Sequence, residues 1–304
     1  MFTKNVAVNF FSAAAMIALV LSHTSADAQS ISLCSQFAGL GWHSQSKVPI
    51  KVPMKAGENS GLTRSEFNEV AMKINRLYSA EFQTLGGQLN VRTDWNDSSV
   101  NANANELGWV WTISLYGGLA RQPLMNRDAF ALVACHEIGH HLGGTPNALF
   151  SPLTDEGQAD YYATLKCARR FFNDEDNYAA LKKTGVDHYL SSECRKEFAG
   201  DQPKQYVCMR SGMAALRLTK TLQAVNGDDT RISFQTPDPK RPLLFSTLSH
   251  PQAQCRLDTF LNGARCPVKV EEPLSEKSYW PGTCDREGER PNTGSRPRCW
   301  FKPI

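Results

Sequence analysis

Past residue 21 the chain has no apolar run approaching the roughly 20 residues that a membrane-spanning helix needs. It also lacks a large excess of charge. Lysine and arginine total 33 against 30 acidic residues, a net +3, and the basic residues are dispersed. That balance speaks against a nucleic-acid surface or a polybasic membrane patch. No internal repeat, heptad run or long low-complexity segment is present, so solenoids, coiled coils and extended linkers are excluded.

What is there begins with an address. Lys4 is followed by a short apolar stretch over residues 10–21, then by Ala26-Asp27-Ala28, a small-x-small site. This is the pattern of a signal peptide over 1–28, with the mature chain starting at Gln29 and a periplasmic or secreted destination. At about 12 residues the stretch is short for a span, and Leu33 before Cys34 does not suit a lipid attachment motif. All nine cysteines follow this segment, which reads as a disulfide framework in an oxidising compartment. An odd count leaves one thiol over. Cys135 is the expected odd one, as a small buried thiol. Cys255 with Cys266 and Cys284 with Cys299 are candidate local pairs, and the sequence leaves the connectivity open.

The remaining 276 or so residues, 41% hydrophobic over the whole chain, suffice for one large domain with a small appendix. Thr63 to Glu66 has the form of a capping box, opening an amphipathic helix through Phe67, Val70, Ile74 and Tyr78. Gly86-Gly87 ends it. Strands are expected over 89–93 and 109–115. A helix is expected from about Arg127 to Leu142, stopped by Gly143-Gly144 and Pro146, with Asp128 as its cap or dipole partner. Another runs from Glu156 to Phe171. Residues 174–225 read as mostly helical, 226–241 as a loop, and a short helix follows His250-Pro251. Residues 268–304 read as a loosely structured Pro/Gly/Arg-rich tail held by a disulfide.

The chemistry concentrates in His136-Glu137-Ile138-Gly139-His140. Two histidines four apart project from one helix face and can share a zinc ion, with Glu137 beside them to take a proton from water. A catalytic zinc needs a third protein ligand and an open position. Pro146 occupies the place where one protease class carries a third histidine. A second class uses a glutamate from a following helix, here Glu156, with Asp155 as the fallback. Asp160, one turn on, is placed to accept a hydrogen bond from a ligand histidine's far nitrogen. His141 points about 100° away from His140. Tyr161 and Tyr162 are candidate hydrogen-bond donors or core residues. Trp109 and Trp111 suit one face of a half-buried strand, lining a groove or the core.

These segments resemble the M48-type gluzincin zinc metallopeptidases, the family of the CAAX-prenyl-protein and HtpX-like heat-shock peptidases. The resemblance lies in Asn101-Ala102-Asn103-Ala104 with Trp109–Leu115 and Gly117-Gly118-Leu119, in the 136–140 motif, in Glu156–Asp160, and in His250-Pro251 with Arg256-Leu257. It covers about 63 to 261. It implies an α+β, mainly helical fold with a zincin-like core and small sheet. It also implies one zinc ion on His136, His140 and Glu156, and Glu137 as general base. His250 or Arg256 would act as oxyanion donor, and a protein or peptide substrate would be held by strand addition on the strand before the metal helix. The chain departs from the family in lacking its membrane spans, in the mostly helical insert 174–249, and in its cysteines. The expected protein is an exported metalloendopeptidase over residues 29–267. It has no nucleic-acid partner, and membrane-associated proteins are among its candidate substrates. The alternative is a zinc-containing binding or chaperone-like envelope protein.

Overall fold

The computed structural model describes residues 61–148, 151–242, 250–288 and 292–302. All belong to one of the chain's two compact units, Ile31–Ile304. The expected signal segment 1–28, Cys34 and His43 lie outside the described residues.

Helix α1 (Arg64–Thr84) starts at the capping box: Glu66 N–H donates to Thr63 Oγ1 (3.3 Å) and Thr63 N–H to Glu66 Oε2 (2.8 Å). Phe67, Val70, Ile74, Tyr78 and Phe82 form its buried stripe. Strands β1 (Gln88–Asp94), β2 (Ala102–Leu107) and β3 (Val110–Tyr116) form one sheet in the order β1-β3-β2. β3 pairs parallel with β1 and antiparallel with β2. The strand before the helix that carries His136 and His140 is therefore central, paired on both sides, and cannot take up a further strand. The edge strands are β1 and β2. Trp109 and Trp111 also part company. Trp109 sits in the hairpin turn, 71% exposed, while Trp111 packs on Phe82.

Gly117 and Gly118 open the short helix α2 (Gly117–Ala120), where a β-carbon would strike the backbone of Trp95, Ser98 and Ser99. Helix α3 (Arg127–Leu142) is buried on all sides from Ala129 to His140. A helix apolar all round belongs in the interior, and α1, the sheet and the helices at Glu156–Tyr162 and Gln202–Asn226 surround it. Its cap is Asn126, whose Oδ1 accepts from Ala129 N–H (2.9 Å). Asp128 instead receives a two-pronged contact from Arg210 (2.7 and 2.8 Å).

Helix α4 (Glu156–Tyr162) continues through a π turn (Ala163–Cys167) into α5 (Ala168–Phe172). Helices α6 (Asn177–Thr184), α7 (His188–Glu197) and α8 (Gln202–Asn226) follow, and α9 (Ala253–Arg265) closes the set. The architecture is α+β and mainly helical, with a small three-stranded sheet. Helix α8 packs on α3 and α9 and contributes Ala215 and Leu218 to the main core, so the stretch after Asp174 is part of the fold's body.

Among the described residues eight cysteines form four disulfides: Cys135–Cys167, Cys194–Cys208, Cys255–Cys299 and Cys266–Cys284. Cys135 is thus paired, tying α3 to the π turn. The candidate pairing of Cys255 with Cys266 fails for a physical reason. They stand at opposite ends of α9, about 16 Å apart at the helical rise, and a disulfide needs α-carbons within about 7 Å. Both instead reach the C-terminal segment. That segment is not loose. Trp300 and Phe301 are buried in a second core with Tyr161 and Leu165, and Trp300 covers Gly157 so closely that a β-carbon there would enter its ring. Four disulfides fit an oxidising compartment. No helix among the described residues is long and apolar enough to cross a membrane.

Candidate metal centre

Helix α3 presents His136 and His140 one turn apart on the side facing α4. Gly139, between them, lies against Ala159, where a β-carbon would come within 2.8 Å of the Ala159 carbonyl oxygen. The missing side chain lets α4 approach closely enough for Glu156 and Asp160 to reach the histidines. Asp155 is the cap of α4, its Oδ1 accepting from Gly157 N–H (3.0 Å), and Glu156 is the acid that meets the imidazoles.

Three atoms converge. His136 Nε2 lies 3.1 Å from His140 Nε2 and 3.1 Å from Glu156 Oε2, and His140 Nε2 lies 3.5 Å from the same oxygen. The tautomers follow from the opposite nitrogens. His136 Nδ1 donates to Asp160 Oδ1 (2.7 Å) and His140 Nδ1 to the Thr154 carbonyl (2.8 Å). In the neutral imidazoles both Nε2 atoms then carry lone pairs, pointed at each other and at a carboxylate oxygen. Such a group is satisfied by a proton or by a metal ion. Ligands about 2.0–2.1 Å from one zinc ion at a tetrahedral angle stand about 3.3 Å apart, which the three separations match.

Protons compete for the same place. Burial alone would lower the His136 pKa, but the Asp160 and Glu156 carboxylates reverse this and push it up to about 10. For His140, burial is likewise outweighed by Glu156, and its pKa rises. Glu156 is held well below the usual carboxylate range, against the desolvation that opposes it, by His250 and His140 beside it. Asp160, fully buried, is also lowered. There the opposing burial is overcome by Arg256 and then His136. Glu137 goes the other way. Burial raises its carboxyl pKa despite the neighbouring histidines, and its Oε1 has no hydrogen-bond partner. A desolvated carboxylate beside a candidate cation site is suited to receive a proton.

Arg256 forks onto Asp160, Nε to Oδ2 at 2.7 Å and Nη2 to Oδ1 at 2.6 Å. Its guanidinium thus stands behind Asp160 and acts on the centre through His136. His250 Nε2 lies 3.0 Å from Glu156 Oε2, and its ring stacks on that of His136 at 5.7 Å. The Tyr161 hydroxyl donates to the Gly294 carbonyl and that of Tyr162 to Tyr78 Oη, so both are committed away from the triad. His141 contacts the Thr112 carbonyl and the edge of Phe82.

One layer of the centre carried little sequence signal. Gln158 donates to the Gly143 carbonyl (2.7 Å) and accepts from Arg296 (3.0 Å), which in turn pairs with Asp285 (2.8 Å). This buried chain fixes α4 against the end of α3. Only the sequence neighbourhood of Gln158, between Glu156 and Asp160, hinted at it. A second cluster, Asp238 with Cys255 and Cys299, offers no thiolates because the two sulfurs are bonded to each other.

Comparisons with protein-family models, with curated proteins and with solved structures find no match for this chain.

Proposed function

We propose that the chain is a zinc-dependent metalloendopeptidase with a zincin-like core, acting on exported or envelope proteins. The observation that carries this reading is the convergence of His136 Nε2, His140 Nε2 and Glu156 Oε2 at 3.1–3.5 Å, with both Nδ1 atoms already donating elsewhere. A zinc ion held by these residues supplies a Lewis acid that lowers the pKa of water and polarises a carbonyl.

The chain's own groups do the rest. Glu137 takes the proton of the attacking water and passes it to the leaving amine. Asp160 fixes the His136 tautomer, and Arg256 keeps Asp160 ionised. The fork makes Arg256 a positioning residue, which leaves His250 as the donor for the developing oxyanion. The substrate backbone adds to the outer edge of β2, which no strand occupies among the described residues. The M48-type resemblance supports this reading, as does the intact Glu137, which a zinc-carrying binding or chaperone-like protein would not require.

The test is metal analysis and cleavage of casein by the wild type and by Glu137→Gln. Zinc near one equivalent in both, with cleavage only in the wild type, supports the proposal. Zinc in both with no cleavage in either assigns the chain to the binding class. Absence of bound zinc removes the metal reading altogether.

A further inference from the structure

One end of the sheet is apolar and open among the described residues. Two turns meet there: Leu85-Gly86-Gly87 after α1, and Leu107-Gly108-Trp109-Val110 between β2 and β3. Gln88 N–H donates to the Trp109 carbonyl (2.8 Å), and Gly87 lies against the same carbonyl, where a side chain would collide. Leu107 is 83% exposed, Trp109 71%, Leu85 51% and Val110 39%. These are four of the seven large hydrophobic residues exposed on the described residues, gathered on two adjoining turns. A β-carbon built on Gly86 or Gly108 would meet nothing within 4 Å, so the turns stand clear of the other described residues.

Charge is missing as well. Residues 82–91 and 107–120 contain no Asp, Glu, Lys or Arg, in a chain that is 21% charged; Glu106 adjoins the hairpin turn in sequence, and Glu276 lies close enough to interact with Glu106. Sheet ends and edges are normally guarded by charge. This one offers a leucine and a tryptophan at the point of a two-residue turn.

We infer that this tip docks on a lipid surface. A stable protein interface needs about 1,000 Å² or more with a polar rim. Four side chains on two adjoining turns cover far less than that, and their form suits insertion into a soft surface. Tryptophan favours the headgroup boundary and leucine the acyl region below it. Without basic residues the attraction is apolar, so neutral lipids suffice and added salt does not release the protein.

The docking does not rest on the metallopeptidase reading, but it has a consequence for the candidate site. Helix α3 runs back along β3, and His141 touches the Thr112 carbonyl, near the hairpin end of β3. The half of α3 that carries His136 and His140 therefore lies toward the docked end, and the outer edge of β2 starts from it.

The experiment is co-flotation with phosphatidylcholine–phosphatidylethanolamine vesicles. The full chain and the chain beginning at Gln29 are both assayed, so that binding by the apolar residues 10–21 is separated from binding by the tip. The chain from Gln29 should float with the vesicles equally at low and high salt. Leu107→Asn with Trp109→Gln should lower partitioning by about tenfold or more. Leu85→Asn, on the other turn, should lower it less, and Leu124→Asn, at the opposite end of the sheet, should leave it unchanged. Bromolipids should quench the emission of the wild type and much less that of Trp109→Phe. Three results overturn the inference: no vesicle binding by the chain from Gln29, equal binding by the tip variants, or binding lost only at high salt. Loss of a dimer in place of vesicle binding in the tip variants reassigns the tip to a second copy.

Discussion

The Arg256–Asp160 fork is the place where the energetics of the centre can be measured apart from any activity. Asp160 is fully buried and Arg256 is 4% exposed, and two short contacts join them. Arg256→Met leaves a carboxylate in the interior with only His136 beside it. Stranding one partner of a buried ion pair costs about 3–5 kcal/mol, and the low end applies because His136 remains a donor. Asp160→Asn strands the guanidinium instead, at a similar cost. At roughly 2–4 °C per kcal/mol for a chain of this size, each single variant should melt about 6–12 °C below the wild type.

The double variant decides the matter. Each substitution removes the group that the other leaves stranded, so the combined loss should fall short of the sum by about 2–3 kcal/mol. Urea unfolding of the four proteins in the presence of a chelator reads this without any contribution from bound metal. Arg256→Lys should recover the charge but not the fork, and only part of the stability. In a parallel titration against a competing chelator, each single variant should bind zinc about 10–100-fold more weakly. Losses that add to within about 0.5 kcal/mol would refute the reasoning. The fork would then be a contact without energetic coupling, and Arg256 would have no claim to position His136 through Asp160.

Glu175 gathers Lys73, Arg127 and Arg210 at 2.7–2.8 Å, and although burial opposes them, they lower its pKa to about 2. A lowered carboxylate stabilises the fold above its unfolded pKa, and that contribution is lost as the pH falls from about 4.5 to 2. Discounted for the access of water to the cluster, it amounts to about 1–2 kcal/mol. The stability gap between wild type and Glu175→Gln should therefore close over that window in urea titrations, and a gap independent of pH contradicts the assignment. Trp300→Ala should cost about 3–5 kcal/mol in unfolding experiments, since it empties the space over Gly157; a loss below about 1 kcal/mol would mean that the C-terminal segment does not pack there. Peptide mapping without reduction should recover Cys255 linked to Cys299 and Cys266 to Cys284, whereas a Cys255–Cys266 peptide would be incompatible with α9 as a helix.

What could be read from the sequence was whatever local chemistry decides. The Thr63–Glu66 box starts α1, the 3.6-residue period marks its buried stripe, and the i, i+4 spacing of His136 and His140 becomes one face once Arg127–Leu142 is helical. Long-range packing was not legible. β3 ends up between β1 and β2 because a parallel partner arrives from before the hairpin, and no residue pattern in Trp109–Leu115 says so. His140 leans on a backbone carbonyl, which any residue at Thr154 would supply. The disulfides were misread because nearness in sequence stood in for nearness in space, and a rigid helix separates Cys255 from Cys266. The tail looked loose because its order comes from crosslinks and from Trp300, Phe301 and Arg296, none of which produces periodicity.

The support that the C-terminal segment gives to α4 has a consequence for biogenesis. Glu156 and Asp160 are synthesised long before Arg296, Cys299 and Trp300, which hold their helix in place. While the chain emerges in order, the centre is without its backing until residue 301 has appeared and oxidation has joined Cys299 to α9. The nascent chain is then a precursor whose centre matures only after residue 301 has emerged, in a compartment that can make the crosslink.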